Sequence, residues 1–288
     1  MALVCMKDLL EQAERNGFGI GAFNVGNMEM IMGVIRAAEE MKAPVIMQIA
    51  EGRLAFSPLH IIGPAMVAAA EAASVDVAVH LDHGKTEETI RQALNIGFTS
   101  VMFDGSALPY EENVRKTHEV VELAKEYGAA VECEIGVVGG NEGDGEHRMQ
   151  YSDPEEAARF SRESYADAMA VAIGNAHGVY KAEPKLRFDI LEEIRDQSDL
   201  PLVLHGGSGI SDADFQKAIR CGIRKVNIAT ASFMKTAEYV QCYMHENIDS
   251  RPYYFDMSEA MVQGTYESVK HHIQVFSLLD MDGAPPFQ

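Results

Sequence analysis

Asp76-Val77-Ala78-Val79-His80-Leu81-Asp82-His83-Gly84 begins as a buried strand and stops abruptly in two polar residues and a glycine. Strand side chains alternate between faces, which puts Asp82 on the face of His80 and Ala78 and leaves His83 at the strand end. Packing gives no reason for an Asp and a His at the tip of an apolar run. Two later stretches repeat the design: Ala168-Met169-Ala170-Val171-Ala172-Ile173-Gly174-Asn175-Ala176-His177-Gly178 and Leu200-Pro201-Leu202-Val203-Leu204-His205-Gly206-Gly207. Each apolar strand delivers a His-Gly at its C-terminal side. His83, His177 and His205 are therefore expected to converge.

Outward from these stretches, strands and helices alternate along the whole chain. Met6 to Asn16 reads as an amphipathic helix closed by Gly17, followed by a strand over Gly19 to Val25. An Asn27-capped helix runs to Met41; strand two covers Pro44 to Ile49, and a helix covers Pro58 to Ala73. After strand three, Thr86 to Asn95 is helical with a capped acidic first turn. Thr99 to Asp104 and Ala129 to Glu134 are strands four and five, separated by a helix from Tyr110 to Tyr127. A Gly-rich charged segment, Gly136 to Tyr151, precedes a helix that starts at Pro154 with Ser152 or Asp153 as cap.

Strand six ends near Ile173 and strand seven at His205; a helix then covers Asp212 to Cys221, and strand eight is Lys225 to Ile228. Thr230 reads as the cap of a last barrel helix, and Met257 to Leu279 adds further helix. Such alternation means parallel strands. A doubly wound open sheet is the alternative. Eight repeats with polar residues at many strand ends favour a closed (β/α)8 barrel with an N-terminal helix and extra C-terminal helices. The expectation is one barrel domain over 1–288, with a helical extension from about residue 250. In such barrels the active site lies at the C-terminal strand ends, where His83, Asp104, Glu134, His177, His205 and Asn227 fall.

The 288-residue chain is 47% hydrophobic, enough for a large core, and holds no apolar run of membrane-spanning length. Its start has no basic segment or cleavage signal, and its cysteines, Cys5, Cys133, Cys221 and Cys242, are scattered. Both features read as a cytoplasmic protein with reduced thiols. A formal charge of -20 disfavours nucleic acid and anionic membranes as partners. An anionic substrate must then be captured by a local positive site.

Three neutral imidazoles with an open fourth position suit catalytic Zn²⁺. Asp82, beside one of them at the barrel mouth, is a candidate proton donor and acceptor; the competing role is a carboxylate that orients a ligand histidine. Asp104 and Glu134 end neighbouring strands, as a second or alternative metal position or as polar plugs of the barrel. His80 is assigned to the core or to support of a ligand. Gly206-Gly207-Ser208-Gly209 and Asn227-Ile228-Ala229-Thr230 precede helices, whose free N–H groups bind phosphate, and barrels commonly hold phosphate at this pair of loops.

These motifs, together with Ala22-Phe23-Asn24, Met102-Phe103-Asp104-Gly105-Ser106, Val131-Glu132-Cys133-Glu134-Ile135-Gly136, Gly139-Gly140-Asn141-Glu142 and His177-Gly178-Val179-Tyr180-Lys181, make the chain resemble the class II, zinc-dependent ketose-bisphosphate aldolases, the fructose- and tagatose-bisphosphate aldolase type. The resemblance implies His83, His177 and His205 as zinc ligands, Asp82 as catalytic acid/base, and Asp104 and Glu134 at an alternative metal position. It implies Gly178, Gly206, Gly207, Ser208, Asn227, Ile228, Ala229 and Thr230 as the dihydroxyacetone-phosphate site. Glu142 matches a mobile-loop glutamate that moves the carbon-bound proton. It further implies reversible cleavage of a ketose (bis)phosphate to dihydroxyacetone phosphate and a small aldehyde, a homodimer or homotetramer, and a monovalent cation as a second candidate cofactor. A Schiff-base route would need a buried lysine at a strand end; Lys225 starts strand eight and Lys181 lies beyond a strand.

The chain departs from the pattern at Ile49-Ala50-Glu51-Gly52, where the family usually carries Ser or Thr, and at Ser258, where fructose-bisphosphate aldolases carry an arginine that reaches a neighbouring subunit's site and binds the distal phosphate. Arg53, Arg251 and Lys270 are the candidate substitutes. An aldolase for a ketose 1-phosphate with an unphosphorylated aldehyde product is thus an alternative. From other classes, a barrel metallohydrolase usually has His-x-His ending strand one, where this chain has Phe23-Asn24-Val25, and a non-catalytic assembly subunit need not keep Asp82 and all three histidines.

Overall fold

The computed structural model describes residues 2–141, 146–147, 149–180, 184–249 and 251–278. In chain order come α1 (Met6–Asn16), β1 (Ile20–Asn24), α2 (Met28–Met41), β2 (Val45–Ala50), a 3-10 turn (Glu51–Arg53), α3 (Leu59–Ala72), β3 (Val77–Gly84) and α4 (Glu87–Ile96). They are followed by β4 (Ser100–Phe103), α5 (Tyr110–Lys125), β5 (Ala130–Ile135), β6 (Gly139–Asn141), β7 (Glu146–His147), α6 (Pro154–Glu163), β8 (Ala168–Val171) and β9 (Ala176–His177). The remainder is α7 (Phe188–Gln197), β10 (Leu202–Leu204), α8 (Asp212–Arg220), β11 (Ile223–Ile228), α9 (Thr230–Glu246) and α10 (Tyr254–Phe276). The strands β1-β11-β10-β8-β5-β4-β3-β2 close into an eight-stranded barrel, all pairs parallel. The expected (β/α)8 architecture is therefore present.

Local chemistry explains most boundaries. Gly17 ends α1 in the left-handed conformation (φ 72°), and the side chains of Asn27, Thr86, Asp153 and Ser211 each accept a backbone N–H in the first turn of α2, α4, α6 and α8. Two sequence expectations need correction. Thr230 does not cap α9: it is the helix's first residue, and Ser208 Oγ accepts the Ala231 N–H at 2.8 Å instead. The helix α7, absent from the sequence reading, starts after Arg187 with no side-chain cap, so it lacks the usual start signal.

The barrel has two interiors. At its N-terminal end the inward residues are small or branched: Ile20, Ala22, Ile46, Ala78, Ala130, Ala168, Ala170 and Val203 pack with Met6, Leu9, Leu10 and Ala13 of α1. The helix thereby plugs the bottom of the barrel. Leu10, 1% exposed, has nothing to replace it there, and Leu10→Ala should destabilise the fold by about 2–5 kcal/mol, measured by urea unfolding. Higher in the barrel the inward face turns polar, with Gln48, His80, Glu132 and Lys225 all fully buried. Outward strand residues such as Val79, Val101, Val131, Met169 and Leu204 form the larger core beneath the helices. The helix α10 lies across α2 and α9; Gly33 permits this approach, since a Cβ there would sit 2.8 Å from Val262 O.

Candidate active site

His83 owes its position to a break in the ladder. Leu81 pairs with Val101 but Gly84 pairs with Phe103, so Asp82 and His83 bulge opposite a single residue of β4. His83 takes φ 45°, a left-handed conformation that a β-carbon resists. In an unbroken strand the two side chains would face opposite sides of the sheet. The bulge turns both toward the barrel mouth. Glycine at 84 serves packing, because a Cβ there would meet Met102 O at 2.4 Å; at Gly206 (φ 63°) it would meet Ala176 O at 2.3 Å.

His177 does not ride on a barrel strand. β8 ends at Val171, and Asn175 closes the following turn by accepting from Ile173 N at 2.8 Å and donating to His205 O at 3.0 Å. His177 then sits in β9, paired with β6, which is paired in turn with β7. The Gly-rich segment thus builds a three-stranded sheet over the mouth that carries one of the histidines. Glu142 and Lys181 lie outside the described residues.

The three imidazoles meet. One nitrogen from each of His83, His177 and His205 lies within 4.8 Å of the others. His83 Nδ1 is 2.9 Å from Asp104 Oδ2, and His205 Nε2 is 2.7 Å from Glu132 Oε1. The opposite nitrogens, His83 Nε2 and His205 Nδ1, face each other at 2.9 Å. Burial, with His83 alongside, pushes His205 well below the usual imidazole range. Its ring therefore stays neutral, the form that ligates a metal.

Asp104 and Glu134 fall beside the same cluster, and with His83 they form a second set of ligand atoms within 4.8 Å. Burial and the Asp104 charge push Glu134 well above the usual carboxylate range; at Asp104 burial is outweighed by the His83 and Ser106 contacts, which hold it low. Glu134 Oε2 is buried without a hydrogen-bond partner, 3.9 Å from both His83 Nδ1 and His205 Nδ1. An orphaned carboxylate oxygen and facing imidazole nitrogens whose far sides are held by Asp104 and Glu132 are a donor set that fits a divalent cation.

Asp82 stands 4.0 Å from His83 Nε2. Its Oδ2 accepts from Asn24 Nδ2 at 2.9 Å and its Oδ1 from Asn227 Nδ2 at 3.0 Å. Burial opposes its charge, but His83, His205, Lys225 and the Asn24 amide outweigh burial and hold the carboxyl below its ordinary value. One cleft is lined by Asn24, Asp82, His83, His177, Gly178, Gly206, Gly207, Ser208, Asn227, Ala229 and Thr230. Ile228 is absent from it: the side chain is buried, and a Cβ on Gly207 would touch its Cδ1 at 2.8 Å. Tyr180 ties the loops together, its hydroxyl donating to Gly206 O at 2.9 Å and accepting from Ala176 N at 2.7 Å.

Glu132 is the residue that the sequence reading passed over, although β5 alternation puts it on the inward face with Glu134. Lys225 likewise lies within β11, not at its start, and its fully buried side chain is held by Glu132 and Asn227. It is engaged by these two side chains, not presented as a nucleophile. His80, also fully buried, is bound through Nδ1 to Ser100 Oγ at 2.9 Å, and burial with Lys225 nearby keeps its pKa well down.

A barrel mouth with convergent imidazoles that could hold a metal ion, a flanking carboxylate and glycine loops at helix starts is the usual place for the active site of a barrel enzyme. The chain matches the family described as fructose-bisphosphate aldolase class-II over residues 4–280. It is 40% identical over 283 residues to the fructose-bisphosphate aldolase of Staphylococcus aureus (strain Mu50), covering 96% of this chain and 98% of that one. It is 39% identical over 282 residues to the sulfofructosephosphate aldolase of Alkalicoccus urumqiensis, with 96% and 97% covered. Among solved structures, the YdjI aldolase from Escherichia coli K12 superposes with a TM-score of 0.84 at 38% identity, covering 95% and 97%. The chain belongs to the class II fructose-bisphosphate aldolase family, and the protein is a lyase. No helix among the described residues is long and apolar enough to cross a membrane.

Proposed function

We propose that the protein is a zinc-dependent aldolase that reversibly cleaves a ketose phosphate to dihydroxyacetone phosphate and an aldehyde. The observation that carries this reading is the single cleft in which Asp82, His83 and His177 meet Gly178, Gly206, Gly207, Ser208 and Thr230. Zinc held by His83, His177 and His205, with Asp104 and Glu134 as an alternative position, supplies Lewis-acid polarisation of the substrate carbonyl when bound. Asp82 takes the proton of the cleaved hydroxyl and returns it to the aldehyde oxygen in condensation; its low pKa keeps it ionised for the first task. Glu142 is assigned the carbon-bound proton. The phosphate is received by the Gly206–Ser208 loop and the start of α9, where helix N–H groups and the helix dipole favour an anion. The test is release of dihydroxyacetone phosphate from fructose 1,6-bisphosphate, tagatose 1,6-bisphosphate and a ketose 1-phosphate; no release from any of them contradicts the reading.

One observation favours an unphosphorylated aldehyde partner. Ser258 on α10 donates to Glu29 Oε1 at 2.9 Å, so an acid stands beside the position where the family's arginine is expected. Lys270, another candidate, is engaged within its own chain. It pairs with Glu40 at 2.7 Å, in the last turn of α2, about 16 Å along the helix from Glu29. The relative named as a sulfofructosephosphate aldolase is consistent with a site whose second substrate is variable. Loss of one charge-assisted phosphate contact costs about 1.5–3 kcal/mol, about one to two powers of ten. The kcat/KM preference for glyceraldehyde 3-phosphate over glyceraldehyde, each with dihydroxyacetone phosphate, should therefore be weaker by that factor than in an aldolase carrying the arginine. A strong preference for the phosphorylated aldehyde would instead assign the role to Arg53, Arg251, Lys270 or another residue.

A cytoplasmic homodimer or homotetramer completes the reading. Its support is the exposed run Tyr253, Tyr254 and Phe255 opening α10.

A further inference from the structure

The polar interior of the barrel holds a cation that neither substrate nor metal chemistry requires. Lys225 is fully buried on β11, and its Nζ has two contacts: Glu132 Oε2 at 2.8 Å and Asn227 Oδ1 at 2.8 Å. Each contact leads to a different half of the site. Through Glu132, the path continues from Oε1 to His205 Nε2 at 2.7 Å. Through Asn227, it continues from Nδ2 to Asp82 Oδ1 at 3.0 Å. The other carboxylate oxygen of Asp82 is fixed by Asn24 Nδ2 at 2.9 Å, and Asn24 Oδ1 accepts from Gln48 Nε2 at 2.8 Å.

The donor and acceptor order along this path is determined by its end. An ammonium only donates, so Asn227 must present its oxygen to Lys225 and its amide nitrogen to Asp82. The Asp82 carboxylate, which only accepts, demands the same sense, so the amide is anchored at both ends; without Lys225 its oxygen loses that second anchor and the Asn227–Asp82 contact is held from one side alone. On the other arm the Lys225 charge offsets Glu132, which is fully buried. Glu132 Oε1 holds His205 Nε2 at 2.7 Å, leaving Nδ1 toward the imidazole cluster.

We propose that Lys225 is a positioning residue shared by both halves of the site, setting the His205 tautomer through Glu132 and the Asp82 orientation through Asn227. This rests on the aldolase reading for the identity of the reaction, but not for its first readout, which is metal affinity. Replacing Lys225 alone leaves Glu132 buried without its lysine partner, so Glu132→Gln and the charge-balanced double variant Lys225→Met/Glu132→Gln are compared, each verified as folded by near-UV circular dichroism. Zinc affinity is measured by chelator competition, and kcat for dihydroxyacetone phosphate release with zinc saturating.

Glu132→Gln should weaken zinc binding by about ten- to hundredfold, the usual effect of removing a ligand's supporting carboxylate. Adding Lys225→Met should weaken zinc little further, because that arm is already broken, yet lower kcat by roughly another tenfold or more through the loosened Asp82. Lys225→Arg should retain most of both properties if it folds. Equal kcat in the single and double variants would overturn the proposal, as would a second, additive loss of zinc affinity on adding Lys225→Met. Absence of dihydroxyacetone phosphate release in the unmodified protein would instead count against the aldolase reading, and the zinc affinities would still test the Glu132 arm.

Discussion

Asp82→Ala is expected to lose kcat by roughly 10²–10⁴-fold while binding zinc in the same stoichiometry as the unmodified protein. The two halves of that expectation follow from one geometry. The carboxylate is 4.0 Å from His83 Nε2, too far to hydrogen-bond to the ring it flanks. The contact that orients His83 comes from Asp104 on its other nitrogen. Asp82 is instead fixed by two amides, Asn24 and Asn227, that leave it facing the cleft. Steady-state kinetics and metal analysis of the purified variant decide the matter. Loss of zinc together with activity would return Asp82 to the role of orienting a ligand.

The second large effect belongs to the histidines. His205→Ala should bind zinc at least a hundredfold more weakly and retain no measurable aldol cleavage at limiting metal. Of the three rings it is the one that is fully buried and held by Glu132, so its removal also takes the partner from Glu132 Oε1. His205→Asn keeps a polar side chain near Glu132 and serves as the folding control. Competition with a chromogenic chelator reads the affinity directly. Unchanged zinc affinity in both variants would remove His205 from the metal site.

Much of this was legible in the chain itself. Alternating apolar runs and helix patterns predict the barrel, and Gly17, Asn27 and Thr86 mark helix ends through local chemistry that needs no tertiary context. The His-Gly endings of three strands point to the imidazole cluster before any geometry is known. Non-local features were hidden. The bulge that turns Asp82 and His83 the same way depends on β4, and no residue at 82–84 announces a left-handed histidine. His177 is carried by a strand that exists only because Gly139 and Gly140 pair with it. Lys225 and Glu132 come together from opposite parts of the sequence, 93 positions apart by their numbers, inside a closed barrel. Only strand alternation hinted at Glu132, since it shares the inward face of β5 with Glu134.

On this reading the imidazole cluster and Asp82 form one metal-supported aldol site. Its most direct measurement is a titration of metal-free protein with zinc, following release of dihydroxyacetone phosphate from a ketose phosphate that the enzyme accepts. No release is expected without metal, followed by a linear rise that stops at one zinc per chain. Full release from the metal-free protein, unchanged by added zinc, would contradict that reading.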